Sequence, residues 1–207
     1  MIRTFAPWTR ASALALAIAA ATLTTTACVP LVVGGAALGG ASIMSDRRTP
    51  SAQIEDQSIE VKAASRVREL LGDRAHVTIS VYNRLVLLTG EVFNQADRGL
   101  VEQTVAKIEN VKSVVNELVA QWPSSTSDRA NDAVLGGKVR ATFIDAKSVP
   151  AGAFKVVVER KVVYLMGRVT EPEATRATEL TRTISGVEKV VRVVEVVSQA
   201  ELDQPAK

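Results

Sequence analysis

The chain is poor in the residues that most often carry chemistry. A single cysteine, Cys28, in 207 residues excludes an intramolecular disulfide framework. With one histidine, His76, beside it, no Cys/His zinc set can be assembled, and no metal-ligating group is expected. Aromatic residues make up only 4%, so a core must come from Val, Leu, Ile and Ala. The glycine-rich stretch GGAALGG, residues 34–40, lacks the Lys-Ser/Thr end that a phosphate-cradling loop requires. Glu60, Glu69, Glu102, Glu109 and Glu179 are scattered near Lys and Arg and read as solvated helix faces. His76 stands at the start of a valine-alternating segment and reads as an exposed strand-end imidazole. These absences point away from an enzyme and from any cofactor. The net charge is +3, and Arg3 and Arg10 supply two units of it, so nucleic acid is not an expected partner.

What is present begins with an uncharged run from Ala11 to Met44 behind two arginines. A basic start, an apolar core and a small residue before a cut describe a secretory signal. The core from Ala11 to Leu23 is too short for a bilayer interior of about 30 Å. Cys28 follows Ala27, so the segment resembles a bacterial lipoprotein signal, with Thr25 where leucine is usual. That resemblance implies cleavage before Cys28 and a covalent lipid on it. The other reading is an uncleaved membrane helix or hairpin, in which Gly34, Gly35, Gly39 and Gly40 would pack helices closely. Pro30 and those glycines interrupt a helix, and only lipidation accounts for the cysteine as well.

The remainder is a repeat. RLVLLTGEVFNQADRGLVEQTVAKIENVKSVVNELV, starting at Arg84, aligns with KVVYLMGRVTEPEATRATELTRTISGVEKVVRVVEV, starting at Lys161. Gly90 and Val92 match Gly167 and Val169 with a shift of 77, while Ile108 and Val111 match Ile184 and Val187 with a shift of 76. A single-residue slip of this kind fits a strand-to-helix loop. Ile59, Ala63, Val67, Leu70 and Leu71 recur at helical spacing before Gly72. Val77, Ile79 and Val81 alternate as a strand, YNR turns the chain, and LVLLTGEV forms the second arm of a hairpin. Leu100, Val105 and Ile108 predict a helix, and SVVNELVAQ a third strand. The second copy predicts a helix over about 132–146, strands near 154–159 and 162–169, a helix over about 172–184 and a strand near 188–198. The fold class is therefore α+β: two tandem α-β-β-α-β domains, each with two helices on one face of a three-stranded mixed sheet. The expected divisions are a signal peptide (1–27), a lipidated N-terminus with a flexible tether (28–57), domain 1 (58–121), a linker (122–131), domain 2 (132–198) and a disordered tail (199–207).

Two such repeats, each with Gly-x-Val closing its hairpin and then NVKSVVNEL or GVEKVVRVV, resemble BON domains. The stretches NDAVLGGKVRATFI and VVYLMGRVTEPEA carry the likeness most specifically. With the signal segment, residues 28–198 resemble dual-BON outer-membrane lipoproteins of the DolP (YraP) type. The resemblance implies a non-enzymatic protein held by its lipid on the periplasmic face of the outer membrane. Val29 supports that address, because an Asp after the lipidated cysteine often marks retention in the inner membrane.

The resemblance also implies binding of anionic phospholipid, phosphatidylglycerol or cardiolipin, through the second domain, in support of envelope integrity. Charge agrees in sign: residues 46–123 carry ten basic and eleven acidic groups, and residues 124–207 carry thirteen and eleven. The candidate element is the first helix of domain 2, with Val134, Leu135, Lys138, Arg140 and Phe143 as phospholipid-binding residues. On a helical wheel Leu135, Val139 and Phe143 form the core stripe. Val134 projects about 100° away with Lys138 one turn on, flanked by Arg140 and Lys147, as in a peripheral helix entering headgroups. An ordinary packed helix with a solvated basic edge fits the same pattern. In such lipoproteins an aromatic commonly stands where this chain has Val134. The alternative function is a periplasmic adaptor, docking envelope assembly or cell-wall remodelling proteins on an open sheet face or edge.

Overall fold

A computed structural model of the chain describes residues 46–203. The signal segment, Cys28 and residues 204–207 lie outside the described residues. Helix α1 (Pro50–Leu71) begins where the Thr49 side chain accepts from the Ala52 amide and Pro50 brings a preset φ, and it ends at Gly72. Ile59, Ala63, Val67 and Leu71 form its buried stripe. Strands β1 (His76–Tyr82) and β2 (Leu85–Val92) make an antiparallel hairpin. Helix α2 (Gln95–Ala106), capped by Asn94, crosses back so that β3 (Ser113–Asn116) and β4 (Val119–Ala120) run parallel to β2. The second repeat follows as α3 (Thr126–Asp145), β5 (Phe154–Glu159), β6 (Val162–Val169), α4 (Glu171–Arg182) and β7 (Lys189–Val196). Its sheet has the order β5-β6-β7, the first pair antiparallel and the second parallel. The α+β reading with helices on mixed sheets therefore holds in both repeats.

Four elements differ from expectation, each for a local reason. Helix α1 starts at Pro50, so 50–57 is helical instead of tether. Helix α3 starts at Thr126, because Ser125 and Asp128 form a reciprocal capping box, so most of the expected 122–131 linker is helix. The third strand of domain 1 breaks at Glu117–Leu118: the Asn116 side chain accepts from the Leu118 amide, and Leu118 is buried in the core. Ser198 and Glu201 cap a short turn, α5 (Gln199–Leu202), inside the expected disordered tail. Leu100 also faces out, and Val101 takes the core position on α2.

Strand alternation sorts the core into three clusters. Val81, Val86, Leu88 and Val92 pack under α1 and α2, and Val156, Val163, Leu165 and Val169 pack under α3 and α4. The opposite faces meet each other: Tyr82 and Leu87 from domain 1 pack with Tyr164, Met166 and Val193 from domain 2. The two repeats are thus layered helices, sheet, sheet, helices, and among the described residues each sheet packs its second face on the other.

Both hairpins turn on two residues in the left-handed region: Asn83 and Arg84 (φ 49° and 64°), and Arg160 and Lys161 (φ 54° and 60°). Such tight turns normally select glycine or asparagine. Here a buried aspartate on the preceding helix binds both turn amides. Asp56 accepts from Asn83 N (2.7 Å) and Arg84 N (2.8 Å), and Asp132 accepts from Arg160 N (2.7 Å) and Lys161 N (2.9 Å). Gly90 and Gly167 mark the other end of each hairpin, where an added Cβ would collide with the carbonyl oxygens of His76 and Ala153. Replacing Asp132 with Ala strands two strained amides, and we expect a loss of about 2–3 kcal/mol in urea unfolding. Asp132→Asn is expected to recover part of it.

Candidate functional site

The expected lipid-facing residues of α3 divide into two groups. Leu135 and Phe143 are buried, with Val139, in the core of domain 2, and Phe143 meets Phe154 edge-on at 5.6 Å. They hold the helix in place and offer no surface of their own, which corrects their inclusion among contact residues. Val134 is 60% exposed, and Lys138 one turn on is exposed as well. Arg140 is exposed overall, yet its Nη2 donates to the Val156 carbonyl (3.0 Å), so its head covers the edge of β5. Gly136 lets the helix lie close to β5, since a Cβ there would already touch Val158 Cγ2 at 3.4 Å. Val134 and Lys138 thus set an apolar side chain and an ammonium one turn apart on the solvent-exposed side of α3, which also shows Ile144 near the helix end. Away from this helix, Trp122 is 79% exposed and packs edge-to-face with Phe93 at 5.6 Å.

A second cluster of polar side chains, outside the reach of sequence reasoning, lies in the seam between the domains. Glu60, expected as solvated, accepts from Val81 N (2.8 Å) and from the Lys155 ammonium of domain 2. Lys155 also donates to the Val81 carbonyl (3.2 Å), and Asn83 Nδ2 donates to Glu195 (2.7 Å). His76 is half-buried, not exposed as expected. Its Nδ1 is 3.0 Å from Glu91, and Thr78 Oγ1 donates to Glu159 at 3.2 Å. Burial pushes the Glu159 carboxyl above its ordinary value, and the neighbouring Glu91 charge pushes the same way; His76 and the Thr78 hydrogen bond act against them. The single histidine is turned toward two buried carboxylates.

The segment before α1, expected as tether, clasps both domains. Arg47 makes a two-pronged contact with Glu173 on domain 2 (2.8 Å to each oxygen), and it donates to the Arg168 carbonyl at 3.2 Å. Arg48 pairs with Asp56 at 2.7 Å and lies 4.4 Å over the Tyr82 ring. A signal was present in the sequence, an arginine pair just before a helix-starting Thr-Pro, but their partners lie far along the chain. The Arg47 guanidinium holds the Glu173 carboxyl down at about 2 from an ordinary 4.5, aided by the Thr170 amide.

A duplicated α-β-β-α-β unit, with a glycine near one end of each hairpin and its sheets face to face, defines a tandem of two small α+β domains. The chain belongs to the BON domain family, whose pattern matches residues 59–121 and 131–198. It is 33% identical over 176 residues to the outer membrane lipoprotein DolP of Haemophilus influenzae, covering 84% of this chain and 90% of that protein. It is 25% identical over 151 residues to a 21 kDa hemolysin of Actinobacillus pleuropneumoniae, covering 72% and 78%. Among solved structures, CdsD, a structural protein of the type III secretion system of Chlamydia trachomatis, aligns with 72% of this chain and 95% of its own at 14% identity and a TM-score of 0.30. The chain is thus a BON-domain protein related to the DolP outer membrane lipoproteins. No helix among the described residues is long and apolar enough to cross a membrane.

Because Glu173 is depressed, the Arg47 clasp contributes stability that is complete above pH about 4.5 and is lost as pH falls toward about 2. Glu173→Gln is expected to lower the urea midpoint at pH 6, with the gap to wild type closing as the pH is taken down to 3. A gap independent of pH would show that the clasp carries no such charge dependence.

Proposed function

We propose that this protein is anchored to the outer membrane through a lipid on Cys28 and that its second BON domain binds anionic phospholipid, in support of envelope integrity. The observation that carries the reading is the exposed pair Val134 and Lys138 on α3, in the domain with the surplus of basic groups. A branched apolar side chain beside an ammonium suits the headgroup boundary, where the first enters the acyl edge and the second meets phosphate. Kinship with a protein named as an outer membrane lipoprotein supports the anchor. Phosphatidylglycerol and cardiolipin supply the negative charge. Arg140 and Lys147 flank the contact, while Leu135 and Phe143 support it from beneath.

The adaptor reading has envelope assembly or cell-wall remodelling proteins dock on an open sheet face or an edge. Domain 1 fills that face of domain 2, so such a partner is left with strand edges or the exposed Phe93–Trp122 pair. Lipid is the better-supported ligand.

Flotation of residues 46–207 with vesicles tests the proposal. Binding is expected to phosphatidylglycerol or cardiolipin vesicles and not to neutral ones. Lys138→Ala should cost about 1 kcal/mol, about a fivefold drop in partitioning, and Val134→Asp more. Equal behaviour on both vesicle types would sink the reading. Lipidation has its own check: metabolic labelling with radioactive fatty acid should mark wild type and spare Cys28→Ala.

A further inference from the structure

The seam between the sheets changes character along its length. Its centre is apolar, and where β1 begins and β2 ends it closes on a buried charged cluster. His76 and Glu91 are direct partners across the hairpin of domain 1, and Glu159 comes from the end of β5 in domain 2. His76 Nδ1 lies 3.0 Å from Glu91 Oε2 and 3.8 Å from Glu159 Oε1, and the three donor atoms all lie within 4.8 Å of one another. Glu91 is fully buried, at 0% exposure, and Glu159 is buried too.

Two of the remaining contacts hold the other oxygen of each carboxylate. Arg160 Nη1 reaches Glu91 Oε1 at 3.4 Å, and Thr78 Oγ1 donates to Glu159 Oε2 at 3.2 Å. Ser124 Oγ donates to Glu91 Oε2 at 3.3 Å, leaving that oxygen further lone-pair capacity. One oxygen of each carboxylate is thus tied back while the other faces the same imidazole nitrogen. The long contact to a half-exposed Arg160 is weak compensation for two carboxylates taken out of water. Thr89, fully buried on the same face of β2 and directly opposite Thr78, has an Oγ1 with no partner among the described residues.

We propose that His76 Nδ1, Glu91 Oε2 and Glu159 Oε1 bind one divalent transition-metal ion of the zinc class, pinning domain 1 to domain 2. One imidazole nitrogen and two carboxylate oxygens suit zinc, with a water completing four-coordination. Bonds of about 2.0–2.1 Å place tetrahedral ligand atoms about 3.3 Å apart, between the 3.0 Å and 3.8 Å at which His76 Nδ1 stands from the two carboxylate oxygens. The imidazole binds as the neutral tautomer with its proton on Nε2, so the metal takes the place of the Nδ1 hydrogen bond. Arg160 and Thr78 then orient the two carboxylates from outside. Calcium and magnesium prefer all-oxygen sets and are not expected to compete. The role is structural: two ligands come from one domain and one from the other.

The test uses the untagged full chain in mild detergent, with Cys28→Ser to remove the single thiol, stripped with chelator and dialysed. Calorimetric titration with zinc chloride is expected to give one ion per chain and a rise in melting temperature. His76→Ala or Glu159→Gln should weaken binding about a hundredfold, and Thr78→Val, which leaves every ligand in place, about tenfold. Circular dichroism confirms that each variant is folded. Failure to bind zinc, or zinc bound equally by wild type and all three variants, overturns the proposal. A melting shift as large with magnesium as with zinc overturns it as well.

Discussion

Each repeat carries a small sheet with two helices over one face, and the second face is apolar as well. Left in water, that face would expose Leu87 and Tyr82 in one domain and Met166, Tyr164 and Val193 in the other. A domain of roughly seventy residues has little stability to spare for such exposure. Packing the two faces together removes both at once and makes one four-layered body. Most other features follow from this contact. The turn of each hairpin must be tight, so that both strands present their side chains evenly, and Asp56 and Asp132 stabilise left-handed residues to achieve it. Gly90 and Gly167 let the flanking backbone approach where any side chain would obstruct it.

The contact also explains where polar groups sit. Lys155, Glu60, Asn83 and Glu195 ring the apolar patch and set the register of one sheet on the other, since each pair spans the seam. The arginine pair before α1 acts from outside, one reaching Glu173 in domain 2 and the other Asp56 in domain 1. The buried end, with His76, Glu91 and Glu159, concentrates negative charge in a place that packing alone would leave apolar. Its position at the domain junction ties any cation held there to the docking of the repeats.

The two repeats have diverged on matching helices. Ser58 on α1 corresponds to Val134 on α3, and Glu60 corresponds to Gly136. In the first domain this turn of helix reaches into the seam through Glu60. In the second it lies flat on β5 and leaves Val134 and Lys138 free. One copy of a common frame serves assembly, and the other presents a surface. BON architecture supplies the frame without dictating that use.

By itself the sequence determined the repeat, the order and type of elements, the hairpin arms and the core stripe of α3, because each is written in local periodicity of 2 or 3.6 residues. It missed the early starts of α1 and α3, where polar caps begin helices ahead of any apolar pattern, and the break at Leu118, where one asparagine side chain replaces a strand bond. The aspartate clamps were visible only as two acids 76 residues apart, Asp56 and Asp132, with nothing local to separate them from solvated neighbours. What covers the second face of each sheet, and hence which of His76, Glu60, Glu91 and Glu159 are buried, was decided by tertiary structure alone. Alternation says that a face is apolar, but partners more than sixty residues apart along the chain meet only when the domains dock.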